Sequence, residues 1–263
     1  MRKSRAFTLL EVLVALAILG VLGMVFVRIF ISTLDASSNI TSRNDLLHEA
    51  QIAEQIIASR VRLAWYVYPP GTRIKMNNGW TTKNALQGSS DWVVGTDPIV
   101  AMVVPPKKPY LACSNTNNLP ISSPQGCYMF YAYYAFPRSY YVTNATGSER
   151  LDPDARNDNT WVLMELRSRL YGFSPNVNDN PSCTNTPIPN GGLLGYGRLL
   201  VEYVQPETDA PNYSIFSVLS DGTVELRLRM RKKTPHRTVV VPPTNDAPLT
   251  LRVSPRNLRV GCK

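Results

Sequence analysis

The sequence predicts an α+β fold, a long N-terminal α-helix packed on a mostly antiparallel β-sheet, and three observations carry the prediction. An almost wholly apolar run extends from Phe7 to Ile31, a stretch without Pro or Gly continues from Ser32 to Trp65, and short apolar or alternating runs fill the remainder. The first two patterns are helical and the third is strand-like. With 263 residues, 44% of them hydrophobic and 18% charged, the chain can bury a sizeable core. The texture is that of one globular domain with one appendage.

The appendage comes first. Arg2, Lys3 and Arg5 precede the apolar run, and only Thr8, Glu11 and Arg28 interrupt it. The core of the run, Val12 to Val27, reaches membrane-spanning length once Phe7 to Leu10 and Ile29 to Ile31 are added. A basic flank before the run, with no matching cluster directly after it, puts the N-terminus in the cytoplasm and the bulk of the chain outside. A cleaved secretory signal carries its small-residue site after the apolar stretch, whereas here the small residue, Ala6, stands before it. A plain anchor leaves Glu11 unexplained, because a carboxylate in hydrocarbon is costly and is normally kept for a partner.

These residues carry a resemblance. The run Ala6-Phe7-Thr8-Leu9-Leu10-Glu11, followed by VLVALAILG, resembles the cleavage and methylation signature of type IV prepilins and type II secretion pseudopilins. The resemblance implies that prepilin peptidase cuts between Ala6 and Phe7 and that the new Phe7 amine is N-methylated. Residues 1–6 are then a leader, 7–31 a transmembrane and filament-core helix segment, and 32–263 a pilin-like globular domain. Glu11 falls at the fifth mature position, where the family uses it in an assembly salt bridge to the amine of a neighbouring subunit. The chemistry fits that spacing, since each charge is expensive alone in lipid and the two neutralise one another.

Two departures refine the reading. Ala6 stands where the family usually has Gly, and Arg28 stands eight positions after Gly20, where major pilins commonly have Pro. The second departure, the length, and the Ser254-Pro255-Arg256-Asn257 ending resemble PilW-type minor pilins and J-type minor pseudopilins. The implied function is a minor pilin or pilin-like subunit that assembles into, tips or primes a type IV pilus, with no enzymatic role and no cofactor. The alternatives are a minor pseudopilin of a type II secretion system, or a pilin that binds DNA or a surface in DNA uptake or adhesion. The implied partners are other pilin or pseudopilin subunits, prepilin peptidase, the inner-membrane assembly platform and membrane lipid, with DNA under the last alternative. The implied location is the inner membrane and then a periplasmic or extracellular filament.

From Ser32 the helix turns amphipathic. Leu34, Ile40, Leu46, Leu47, Ala50, Ala53, Ile56, Ile57, Val61 and Ala64 recur in steps of three and four, with Arg43, Asp45, Glu49, Glu54 and Arg60 largely elsewhere. Pro69-Pro70-Gly71 is expected to end a helix that reaches about Trp65, on the order of 90 Å long at 1.5 Å per residue. Strands are expected at Trp92 to Val94, Ile99 to Val104, Tyr128 to Phe136, Trp161 to Leu170, Arg198 to Val204, Ile215 to Leu219, Thr223 to Met230 and Leu249 to Val253. Alternation is cleanest in Thr223 to Met230, and Ser220-Asp221-Gly222 before it makes a hairpin with Ile215 to Leu219. The aromatic run Tyr128 to Tyr134 is read as core packing rather than a stacking platform.

Four cysteines, Cys113, Cys127, Cys183 and Cys262, form an even set suited to disulfides outside the cytoplasm. Three pairings are open, and the adopted one joins Cys113 to Cys127 across a local loop and Cys183 to Cys262. No C-x-x-C occurs, and His48 and His236 lie in unrelated contexts, so no metal site is expected. Neither histidine sits in a nucleophile motif and no phosphate-binding Gly-rich loop is present. The formal charge of +9 becomes 9 − 3 = +6 once Arg2, Lys3 and Arg5 are removed with the leader. That excess suits a solubilising surface or weak attraction to DNA and anionic lipid, and the Arg227 to Arg237 cluster is its densest part.

Overall fold

The apolar run and the amphipathic run form a single element, helix α1 (Leu9–Leu63), of 55 residues. A computed structural model describes residues 9–77, 79–108, 113, 126–170, 195–210, 212–235 and 237–256 of the chain. The chain divides into two units, Met1–Asn44 and Asp45–Lys263, and the boundary falls within α1. In the first unit the apolar side chains from Leu9 to Ile31 are all exposed. Within the second, Leu46, Ala50, Ala53, Ile57 and Val61 form a buried stripe at helical spacing.

Helix α1 stops at Leu63, close to the end expected near Trp65 and before Pro69-Pro70-Gly71. The reason is tertiary. The Trp65 amide donates to the Val103 carbonyl at 2.8 Å, and Tyr66–Val67 become β1, paired antiparallel with β4 (Ile99–Val104). Near the other end of the chain, the Arg256 amide donates to the Arg62 carbonyl at 3.1 Å, satisfying one of the orphan acceptors at the helix C-terminus.

Three sheets make up the β-rich part. The largest has seven antiparallel strands in the order β1-β4-β5-β6-β7-β10-β11, with β5 Tyr128–Pro137, β6 Trp161–Leu170, β7 Gly197–Val204, β10 Met230–Lys233 and β11 Thr238–Val241. A three-stranded sheet holds β12 (Leu249–Val253), β9 (Val224–Leu228) and β8 (Phe216–Val218), and a ribbon pairs β2 (Arg73–Lys75) with β3 (Asp91–Val93). A short helix α2 (Arg138–Asn144) follows β5 directly. The strands expected at Ile99 to Val104, Trp161 to Leu170 and Leu249 to Val253 appear with those bounds.

The expected strand Thr223 to Met230 is corrected. It breaks at Arg229, so β9 belongs to the small sheet and β10 to the large one. Arg229 is held at the crossing by its amide to the Tyr213 hydroxyl (3.1 Å) and its carbonyl to the Gln205 amide (2.8 Å). Strict alternation states that one face is buried, but not which sheet buries it.

Strand β5 is covered on both faces, so its aromatic run is core. Residues 129–136 are all buried. Tyr131 takes the Arg60 guanidinium of α1 over its ring at 5.1 Å, while Tyr134 and Phe136 share the aromatic cluster of Trp92 and Tyr141. At the start of β7 a backbone passes through this cluster. The Tyr134 hydroxyl donates to the Thr81 carbonyl (2.7 Å) and the Gly197 amide donates to the Thr81 hydroxyl (3.0 Å). A Cβ on Gly197 would lie 2.8 Å from the Thr81 carbonyl oxygen and closer still to the Tyr134 hydroxyl. Gly197→Ala is therefore expected to cost about 3 kcal/mol by overpacking. Thermal unfolding of the two proteins measures it, and an unchanged Tm would show that the cluster yields.

Candidate functional site

In the first unit the chemistry is concentrated at the start of α1. Glu11 is the first carboxylate of the described helix. Beside it Val12, Ala15, Leu16 and Leu19 line a shallow apolar niche along the helix. Among the described residues α1 is the one helix long and apolar enough to cross a membrane, and none of its most apolar stretch is buried within the chain. Gly20 and Gly23 pass through it with open space where a side chain would stand. Beyond the apolar run, Thr33 donates to the Ile29 carbonyl at 2.9 Å and Asn39 to the Asp35 carbonyl at 2.5 Å, so both polar side chains bond back to their own helix. Ala6 and Phe7 lie outside the described residues.

In the second unit Cys113 and Cys127 form a disulfide, the local pair expected. Cys183, Cys262 and His236 lie outside the described residues, and His48 is exposed on α1. The described residues contain no group of three His, Cys, Asp or Glu side chains able to hold a metal ion.

The basic run of Arg227 to Arg237 does not form one patch. Arg227 and Arg252 both bind the buried Glu225 carboxylate, at 3.2 and 3.4 Å, on the small sheet. Arg231 pairs with Asp209 on the large sheet, and the Lys232 ammonium lies 4.6 Å from the centroid of the Tyr203 ring. Much of this charge is thus taken up by the chain's own carboxylates.

A charged cluster the sequence did not reveal surrounds Arg138, the first residue of α2. Its side chain is 1% exposed. Its Nε reaches Glu202 at 3.1 Å, one Nη reaches Asp158 at 3.3 Å, and the other donates to the Asp152 carbonyl at 2.8 Å. Glu202 and its neighbour Tyr203 form a β-bulge: Trp161 pairs with Val204 and Leu163 with Val201, so two residues of β7 oppose Val162 alone. Tyr203 has a φ of 61°, costly for an aromatic residue, and its ring takes Arg138 on one contact and Lys232 on another. Burial first, then the adjacent Glu202, raises the Tyr203 hydroxyl above its ordinary range. Under α1 a second network joins the Tyr133 hydroxyl to Glu165 at 2.8 Å and Glu165 to Arg167 at 2.6 Å. Partners 64 residues apart, as Arg138 and Glu202 are, leave no signal in linear spacing.

A family model described as the prokaryotic N-terminal methylation motif matches residues 1–27. No curated protein and no solved structure matches the chain. The motif points to a structural subunit, and the exposed apolar helix that continues from it is consistent with a membrane-anchored pilin. The chain thus opens with a type IV pilin-like signal, which supports a pilin-like or pseudopilin subunit, processed by prepilin peptidase and assembled with other such subunits.

Proposed function

We propose that this protein is a minor pilin or pilin-like subunit that enters, tips or primes a type IV pilus. One observation carries the reading: a methylation motif over residues 1–27 runs into an apolar helix that stays exposed among the described residues and has one early carboxylate, Glu11. Such a surface is satisfied by lipid before assembly and by other subunit helices after it. The leader ends at Ala6, Phe7 becomes a methylated N-terminus, and Glu11 pairs with the amine of a neighbouring subunit to set the register. Arg28, where major pilins commonly have Pro, favours a minor subunit, a PilW-type minor pilin or, as the alternative on the same N-terminus, the J-type minor pseudopilin of a secretion system. DNA capture has less support, since Arg227 and Arg231 are engaged by Glu225 and Asp209.

Intact-mass analysis of the membrane-extracted protein tests the processing step. The expected species begins at Phe7 and carries one methyl group. Retention of Met1, or cleavage beyond Val27, would remove the basis of the proposal.

A further inference from the structure

Glu49 sits on the flank of the buried α1 stripe, beside Ala50, and its Oε2 is enclosed without a hydrogen-bond donor. Charged groups from three elements face it. Glu202 on the β7 bulge and Asp45 on α1 repel its carboxylate, while Lys232 on β10 and His48 on α1 attract it. Both sheet residues have partners of their own, since Glu202 is paired with Arg138 and the Lys232 ammonium rests over Tyr203. The net result is a carboxylate that has lost part of its hydration and has no donor in exchange.

We propose that the seat of the Asp45–Leu63 part of α1 on the seven-stranded sheet is a proton-linked joint, in which the enclosed Glu49 oxygen, lacking a donor, is held better protonated than ionised. Burial first, then Glu202, holds the Glu49 carboxyl above its ordinary range. The native state therefore binds this proton more tightly than the unfolded chain does. Stability falls as pH rises from the ordinary glutamate range through the raised value, and is recovered on acidification. Glu54, on the other flank of the stripe, also has an enclosed oxygen, is raised by burial, and adds an effect of the same sign. The joint is a property of the second unit and does not depend on how the N-terminus is used.

The test compares Tm against pH, from about 4 to about 8, for the full chain in detergent micelles and its Glu49→Gln variant. Gln mimics the protonated side chain, so the two curves should meet at the acid end. Near pH 8 the variant should be the more stable, by on the order of 2 °C. Parallel curves, or a less stable variant at high pH, overturn the proposal. Repeating the pair in a His48→Asn background separates the exposed histidine: a persisting difference supports Glu49, and its disappearance assigns the effect to His48 and overturns it. Should Glu49→Gln fail to fold, residue-assigned carboxyl-carbon NMR of the wild type decides: a Glu49 carboxyl titrating above about 4.3 supports the joint, and one titrating at or below it refutes the joint.

Discussion

Glu11→Ala is expected to leave membrane insertion intact while lowering incorporation into filaments by about 100-fold. Insertion survives because the substitution makes the apolar segment more apolar, removing a carboxylate whose transfer into hydrocarbon is unfavourable. Incorporation fails because the amine of the neighbouring subunit, at Phe7 in the proposed mature chain, is left buried without a counter-charge. Breaking a buried pair costs about 3 kcal/mol or more, and each 1.4 kcal/mol is tenfold in an equilibrium. Glu11→Gln separates charge from shape, since it keeps the size of the side chain and should fail almost as badly. Immunoblots of the membrane fraction and of sheared filaments read both quantities. Wild-type amounts of Glu11→Ala in filaments would show that the pair does not govern register.

Arg138→Met is expected to destabilise the second unit by about 3 kcal/mol, because it strands Glu202, Asp158 and the Asp152 carbonyl together. The low end of the range for a broken buried pair applies. The Asp158 and Glu202 side chains are 43% and 23% exposed, so both recover some hydration. At about 2–4 °C per kcal/mol for a chain of this size, Tm should fall by about 6–12 °C. Arg138→Lys should lie between, since an ammonium keeps the charge but cannot reach both carboxylates and the carbonyl as a planar fork does. A change below about 2 °C for Arg138→Met would mean that the bulge at Glu202 and Tyr203 relaxes without cost.

Legibility differed between the two units for physical reasons. Gly222 and Asp221 marked the β8–β9 hairpin correctly, and Asp221 accepts the Thr223 amide at 2.8 Å, as a local turn requires. By contrast β1, β2, β11 and α2 went unread. Tyr66–Val67 is two residues long and exists because β4 offers an edge, and Thr238–Val241 pairs back on β10 after a turn rich in charge rather than Gly. Arg138 reads as an ordinary surface cation following Pro137, yet three segments close over it.

Sequence by itself determined what depends on one residue and its near neighbours along the chain. The anchor run with Glu11, the helical stripe from Leu46 to Val61 and the long central strands all belong to that class, since period and length are written in adjacent residues. Tertiary structure decided where α1 ends, that Met230 leaves the small sheet of Val224–Leu228 for the large one, the bulge that turns Glu202 toward Arg138, and the enclosure of Glu49. Each of these is a contest between a local preference and a distant partner. Backbone and charged groups removed from water must find partners wherever the fold brings them, and no local pattern records that outcome.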